Sequence, residues 1–255
     1  MDEFKKVALE AVKAAEERIL FHFNQELVAE QKADFSPVTK ADKEAEEIIV
    51  STIKKRFPNH GFSGEEFGTD NPNAEFVWYI DPIDGTKEFI HGIETFGTIL
   101  GLKHGDQIIL GVVNLPALKE LIFASTQEQT TINAARVGVS KTDDLSKAYI
   151  NFGGYRVLEN QGYMQALINL KNRAQSVKGF PYAYSFSLLV KGKIDGMIDP
   201  AALPHDVSAW TIIVKQAGGK YSDFYGNEDT LGPTSLATNG KIHSQLMEIL
   251  KEVKV

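Results

Sequence analysis

The run Asp81-Pro82-Ile83-Asp84-Gly85-Thr86 holds the residue types in this chain that are best suited to chemistry. Mg²⁺ prefers carboxylate, carbonyl and water oxygens, and two carboxylates three residues apart on one turn can aim at the same ion. Gly85 lets the backbone approach a ligand closely, and the N–H groups that follow it suit a phosphate at a helix start. An ordinary Asp-Gly turn is the alternative interpretation.

Three further acidic positions accompany this run. Gly64-Glu65-Glu66 follows a short predicted strand, Asp42 lies just inside a predicted helix, and Pro204-His205-Asp206 precedes an apolar helix. Each has a structural alternative. Adjacent glutamates are usually solvated, whereas Asp42 and Asp206 could simply favour or cap a helix start.

The composition narrows the class of function. The chain has 255 residues, no cysteine and a formal charge of -7. Without cysteine there is no disulfide, thiolate metal site or thiol nucleophile. A nucleic-acid binder needs a basic face, which this sequence does not offer, so we expect no nucleic-acid partner. An acidic protein that handles an anionic substrate must reverse the local charge, and bound metal cations can do so.

The N-terminal segment 1–17 is amphipathic and charged throughout. No apolar run in the chain approaches ~20 residues, the length that a membrane-spanning helix needs. We therefore expect no signal peptide and no membrane partner, and we predict a cytoplasmic protein.

Hydrophobic periodicity predicts a layered α/β or α+β protein. Helices are predicted over the first two dozen residues, after Thr39, and over 163–170, 184–190, 207–217 and 243–253. Strands are predicted over 76–80, 96–102, 108–115, 121–125, 196–198 and 236–238, with a hairpin at Gly105-Asp106 and a short helix from Gly85-Thr86 to Phe89. The N-terminal half, 1–140, holds most of the acidic candidate positions, and the C-terminal half, 141–255, adds Asp206, the two forming one compact unit.

Taken together, the motifs resemble those of the inositol monophosphatase superfamily. The matching patterns are Ser36-Pro37-Val38-Thr39-Lys40-Ala41-Asp42, Gly64-Glu65-Glu66, Asp81-Pro82-Ile83-Asp84-Gly85-Thr86, and Asp206-Val207-Ser208-Ala209 leading to Gln216-Ala217-Gly218-Gly219. The likeness covers nearly the whole chain. It implies a layered αβαβα fold, hydrolysis of a small phosphate monoester, lithium inhibition and, commonly, a homodimer.

The resemblance also assigns roles to single residues. It implies that two or more Mg²⁺ ions are bound by Glu65, Asp81, Asp84, Asp206 and the carbonyl of Ile83. Asp42 and Thr86 would orient and help deprotonate the attacking water. Glu65 would also be a catalytic residue. The N–H groups of Gly85 and Thr86 would hold the phosphate. Such an arrangement is consistent with metal-assisted catalysis, which needs no covalent phosphoenzyme.

The motifs indicate the branch of the superfamily, and so the substrate, less clearly than they indicate the reaction. Phe96-Gly97-Thr98-Ile99-Leu100, the stretch 111–116 and Asp199-Pro200 are most similar to histidinol-phosphate phosphatases, whereas Thr86-Lys87-Glu88-Phe89-Ile90 is equally similar to 3'(2'),5'-bisphosphate nucleotidases. Inositol monophosphatases usually carry Trp at the position of His205. Inositol monophosphate and histidinol phosphate are the favoured substrates, with the bisphosphate nucleotidase reaction as the alternative.

Five positions are predicted to contact the leaving group. Asp199 falls where the superfamily places a substrate-contacting acid, although it could also be a strand-end acid before proline. His205 could contact substrate or support Asp206, or simply pack or cap the helix. At Phe180-Pro181-Tyr182, relatives usually carry small or acidic residues, so this bulky segment would narrow the pocket or offer a stacking surface.

Two other functions compete with the metal-dependent phosphatase. In a haloacid-dehalogenase-type phosphatase the two motif aspartates are spaced i, i+2, whereas Asp81 and Asp84 are spaced i, i+3. A non-catalytic metal-binding scaffold is the alternative of another class, and the presence of all expected ligands argues against it. The sequence contains no Walker-type glycine loop, dinucleotide fingerprint or G-x-S-x-G elbow.

Overall fold

A computed structural model describes residues 1–25, 29–31, 37–228 and 230–253 of the chain. Ser36, the first residue of one matched motif, lies outside the described residues. Within them, the helices are α1 (Asp2–Phe23), α2 (Lys40–Arg56), α3 (Thr86–Ile90), α4 (Tyr155–Asn160), α5 (Met164–Arg173), α6 (Tyr182–Val190), α7 (Pro204–Gln216) and α8 (His243–Lys251). None of these helices combines the length and apolar character needed to cross a membrane.

The described strands form three sheets. They are β1 (Ala29–Gln31), β2 (Pro37–Thr39), β3 (Gly61–Gly64), β4 (Gly68–Asp70), β5 (Phe76–Asp84), β6 (Gly97–His104), β7 (Gln107–Leu115), β8 (Glu120–Ser125), β9 (Glu128–Ile132), β10 (Ala135–Arg136), β11 (Tyr149–Phe152), β12 (Ser176–Lys178), β13 (Gly196–Asp199), β14 (Lys220–Ser222) and β15 (Ser235–Thr238). Besides the β1–β2 pair, there is an eight-stranded sheet in the order β10-β9-β8-β7-β6-β5-β3-β4 and a five-stranded sheet in the order β12-β11-β13-β15-β14.

The first two predicted helices are confirmed. The buried residues of α1 recur at helical spacing, at Val7, Ala11, Ala15 and Ile19 among others, and face α2 and the large sheet. The side chain of Thr39 caps α2 by accepting a 3.1 Å hydrogen bond from the N–H of Ala41.

The layers follow the predicted αβαβα order. Helices α1 and α2 cover one face of the large sheet, and α6 and α7 cover its other face and also pack on the small sheet. Helices α5 and α8 lie on the far side of the small sheet. Three hydrophobic cores fill the spaces between these layers. Helices α6 and α7 therefore form the middle layer, between the eight-stranded sheet and the five-stranded sheet.

The hairpin prediction is confirmed, because His104 pairs with Gln107 across Gly105-Asp106. The predicted strand over 76–80 is too short: β5 continues through Asp84, with an irregularity in its pairing with β6 between Asp81 and Asp84. The short elements β9 to β12, β14 and α4 were not predicted, because they are too brief to carry a clear hydrophobic period.

Candidate active site

The end of β5 forms the centre of the site. Its pairing with β6 is interrupted between Asp81 and Asp84, and the hydroxyl of Thr98 on β6 donates a 2.9 Å hydrogen bond to the carbonyl of Pro82. Gly85 then adopts a left-handed conformation with φ of 83°, which glycine accepts without strain, and α3 begins at the next residue. The bulge thus turns the two aspartates out of the regular strand at the start of a helix.

Asp84 is fixed by the other half of the chain. The main-chain N–H of Ala183, at the start of α6, donates a 2.7 Å hydrogen bond to its Oδ2. The side chain is buried, and that burial together with the charge of Asp206 raises the pKa of Asp84 well above its ordinary value. This hydrogen bond lowers the same pKa, but the raising effects dominate.

Asp81 is also buried, with 3% of its surface exposed. Burial, and then the charges of Glu65, Asp84 and Asp206, raise the pKa of Asp81 well above its ordinary value. Within the described residues its Oδ1 has no hydrogen-bond partner. Four carboxylates therefore lie within electrostatic range of one another, and one buried oxygen is left for a ligand to satisfy.

Strand β3 brings Glu65 to the same end of the sheet. It runs parallel to β5, and the N–H of Glu65 donates a 3.1 Å hydrogen bond to the carbonyl of Ile80, immediately before Asp81. The carboxyl ends of neighbouring parallel strands meet at one edge, so these two strands deliver Glu65 and Asp81 together.

Glu46 on α2, which the sequence analysis did not identify, fixes the loop that follows Glu65. Its buried carboxylate accepts hydrogen bonds from the N–H groups of Glu66 (2.8 Å) and Phe67 (3.1 Å). A Cβ on Gly64 would lie 1.8 Å from Oε1 of Glu46, so a larger residue there would displace this carboxylate. Glu46 follows Asp42 by four residues on one helix face, and this i, i+4 spacing was the available signal.

Asp42 and Thr86 are neighbours, as a shared role requires. Oδ2 of Asp42 accepts hydrogen bonds from the N–H (2.8 Å) and hydroxyl (2.6 Å) of Thr39, which completes a capping box at the start of α2. The hydroxyl of Thr86 faces both Oδ1 of Asp42 (3.4 Å) and the carbonyl of Ile83 (3.1 Å). Burial raises the pKa of Asp42 to about 6, against the lowering effect of the Thr39 hydrogen bonds. Asp42 is therefore both a helix-start acid and a member of the site.

Asp206 stands at the start of α7, but not at its cap position. The cap is Leu203, whose N–H donates a 3.0 Å hydrogen bond back to Oδ2 of Asp206. His205 Nε2 lies 3.3 Å from Oδ1 of the same carboxylate. Burial, and then the charges of Asp199 and Glu65, raise the pKa of Asp206 to about 7. The N-cap interpretation of Asp206 is therefore wrong, because Asp206 lies in the first turn of α7 and Leu203 is the cap, whereas its role as a metal ligand stays a prediction.

The predicted leaving-group residues divide into two environments. The hydroxyl of Tyr182 is fully buried and faces Asp199. The ring of Phe180 instead packs 6.1 Å from that of Tyr149 and 6.2 Å from that of Tyr184, measured between ring centroids. Pro181 is the cap of α6, so Tyr182 belongs to a helix and not to a loop. The substrate-binding roles of these residues stay predictions.

The donor set suits a hard divalent cation. Every converging side chain, from Glu65, Asp81, Asp84 and Asp206, offers carboxylate oxygen, and a cation would relieve the mutual repulsion that raises the pKa values. In the described part of the chain, no group of three or more His, Asp or Glu side chains is placed closely enough to hold a metal ion without some rearrangement.

The chain matches known proteins over nearly its whole length. A sequence model of the inositol monophosphatase family matches residues 1–254. The chain belongs to the inositol monophosphatase family. As a member, it is a phosphatase of the phosphoric monoester hydrolase class.

Relatives within the inositol monophosphatase family carry more than one name. The chain is 34% identical over 254 residues to an inositol-1-monophosphatase of Synechocystis sp., covering 96% of this chain and 88% of the relative. It is 32% identical over 234 residues to a histidinol-phosphatase of Chlorobaculum parvum, covering 91% and 90%. The solved structure of an IMPase from Thermotoga maritima superposes with a TM-score of 0.89 at 28% identity, covering 99% of this chain and 98% of that one.

Proposed function

We propose that the protein is a Mg²⁺-dependent phosphatase that hydrolyses a small soluble phosphate monoester. The observation that carries this proposal is the convergence of four carboxylates beside the Asp42–Thr86 pair, at the end of a strand that leads into a helix. Such an acidic site binds an anionic phosphate only if cations first reverse its charge. Inositol monophosphate and histidinol phosphate are the proposed substrates, in keeping with the names of the relatives.

The proposed metal ligands are Glu65, Asp81, Asp84, Asp206 and the carbonyl of Ile83. When bound, Mg²⁺ supplies positive charge that stabilises the phosphoryl oxygens and the leaving alkoxide and lowers the pKa of water. The unpaired Oδ1 of Asp81 and the raised pKa values of three of these acids support their assignment as ligands.

The proton of the attacking water passes to the Asp42–Thr86 pair in this proposal. The Thr86 hydroxyl can accept a hydrogen bond from water while it donates to Oδ1 of Asp42, because a hydroxyl is both donor and acceptor. The pKa of Asp42, raised to about 6 by burial, suits a general base near neutral pH. The N–H groups of Gly85 and Thr86 at the start of α3 are proposed to hold the phosphate.

Three further statements complete the proposal, of which only the first rests on the family resemblance. They are a homodimeric assembly, a cytoplasmic location, and a division of the compact chain into halves 1–140 and 141–255. Light scattering of the purified protein measures the first directly, and a monomer at all concentrations would exclude it.

The function is tested by measuring phosphate release from inositol 1-phosphate, histidinol phosphate and phosphoadenosine phosphate. We expect turnover of at least one of the first two with Mg²⁺, loss of that turnover after exhaustive EDTA treatment, and inhibition by Li⁺. Full activity without divalent metal would overturn the metal mechanism. Metal binding by calorimetry without turnover of any phosphomonoester would instead favour a non-catalytic scaffold.

A further inference from the structure

Three buried hydroxyl groups, those of Tyr182, Tyr221 and Ser235, cluster behind Asp199. Their oxygen atoms are shielded from solvent, and within the described residues none has a hydrogen-bond partner of standard geometry. They do lie near one another, because the Ser235 hydroxyl acts to lower the pKa of both tyrosines. Buried polar groups are normally paired, because an unpaired hydroxyl loses its bonds to water without replacement. Three such groups in one place point to a role beyond folding.

Strand pairing explains why these groups converge. Ser235 on β15 is the direct cross-strand partner of Asp199 on β13, so their side chains share one face of the small sheet. Tyr221 on β14 pairs with Ala237, two residues from Ser235, and therefore lies on that face as well. Tyr182 reaches the same face from α6, which packs against β13.

The carboxylate of Asp199 is held closely on several sides. Its Oδ1 accepts a 3.0 Å hydrogen bond from the N–H of Ala201, and a Cβ on Gly153 would lie 3.4 Å from the same oxygen. Burial raises the pKa of Asp199 above its ordinary value, and the hydroxyl of Tyr182, which faces the carboxylate, offsets part of that rise. The charge of Asp199 also raises the pKa of Asp206, so the Asp199 carboxylate lies near the proposed metal ligands.

We propose that Tyr182, Tyr221 and Ser235 are positioning residues that hold the Asp199 carboxylate for the leaving group. They thereby select phosphate monoesters whose leaving group presents a hydrogen-bond donor, such as a polyol hydroxyl or an imidazole N–H. A donor adds a charge-assisted bond to Asp199, whereas a leaving group without one displaces water from the buried carboxylate and gives no bond in return. This inference rests on the proposed phosphatase function.

The main variant is Tyr221→Phe, which removes one oxygen and keeps the ring. The probes are myo-inositol 1-phosphate, whose leaving group has donors, and p-nitrophenyl phosphate, whose leaving group has none. We expect KM for inositol 1-phosphate to rise about threefold to tenfold, as for a weakened hydrogen bond to a charged group. Both kcat and KM for p-nitrophenyl phosphate should change by less than about twofold. Ser235→Ala should behave in the same way.

Tyr184→Phe is the matched control, because Tyr184 lies on α6 with its ring against Phe180. This variant should change neither substrate's KM. A double-mutant cycle supplies the decisive comparison: in an Asp199→Asn background, Tyr221→Phe should have no further effect. Equal losses on both probes, an effect that persists without the Asp199 charge, or no effect at all would each overturn the inference.

Failure of the proposed function would be seen separately. If the wild-type protein with Mg²⁺ hydrolyses neither probe, the phosphatase proposal fails. The cluster is then tested by calorimetric binding of inositol 1-phosphate in the presence of Ca²⁺. Weaker binding by about threefold to tenfold in Tyr221→Phe supports the positioning role. Equal binding, or no binding by the wild-type protein, overturns it.

Discussion

The main-chain N–H of Ala183 and the carboxylate of Asp84 are joined by a 2.7 Å hydrogen bond across 99 residues of sequence. The bond ties the first turn of the middle-layer helix α6 to the bulged end of β5. It fixes one proposed metal ligand against the helix that also carries Tyr182. The two halves of the chain therefore meet inside the site, and the orientation of Asp84 depends on both.

Asp84→Asn should reduce turnover by at least ~100-fold. Asn keeps the size of the side chain and an acceptor for the Ala183 N–H, but it removes one negative charge from a site proposed to hold dications. Without metal, the melting temperature should stay level or rise, because one source of like-charge repulsion is lost. Phosphate release and thermal denaturation measure these effects.

Asp106→Asn, at the exposed tip of the β6–β7 hairpin, is the control and should change neither quantity. Near wild-type turnover by a folded Asp84→Asn protein at limiting Mg²⁺ would show that Asp84 is only a turn residue.

Thr86→Val should lower kcat by about 100-fold or more, whereas Thr86→Ser should retain most of it. Valine keeps the shape of threonine but cannot pass a proton towards Asp42, whereas serine restores the hydroxyl. Steady-state kinetics at saturating Mg²⁺ measure both variants. If valine and serine lose activity equally, the methyl group and not the hydroxyl is the important part of Thr86.

Glu46→Gln should destabilise the protein by about 1–3 kcal/mol and weaken Mg²⁺ binding. An amide offers only one acceptor oxygen to the N–H groups of Glu66 and Phe67, so the loop that carries Glu65 loses one of its two hydrogen bonds. Denaturant unfolding and calorimetric Mg²⁺ titration measure the two effects. The exposed neighbour offers the control Glu47→Gln, which should leave both unchanged. Equal Mg²⁺ affinity in both variants would exclude a positioning role for Glu46.

The melting temperature of metal-free protein should fall as the pH rises from about 5 to about 7. The pKa of Asp206 is about 7, above its ordinary 3.8, so between these values the folded state binds more protons than the unfolded state and stability falls with rising pH. The raised pKa values of Asp81 and Asp84 act in the same direction.

His243 opposes part of this slope below about pH 6.5. Burial lowers its pKa to about 4, so the stability it contributes is complete above its ordinary 6.5 and is lost only as the pH falls below that value. Saturating Mg²⁺ should flatten the slope, and Asp206→Asn should reduce it. A pH-independent melting temperature in EDTA would contradict the assigned acid cluster.

Much of the fold could be predicted from local pattern. The helical spacing of Val7, Ala11 and Ala15 and the apolar runs of β6, β7 and β8 were sufficient, because one buried face leaves a clear period. The short strands β11 and β12 carried no such period, since strands of three or four residues contain too few positions to show one.

The sequence by itself also determined the family and the acids of the candidate site, because the types and order of Asp81, Asp84 and Asp206 are local facts of the chain. Only the tertiary structure decided what holds them. The N–H of Ala183 on Asp84, and the pairing of Ser235 with Asp199, join residues far apart in sequence. Backbone groups and cross-strand registers leave no mark in residue type, because any residue can donate an N–H group and any strand can shift its partner.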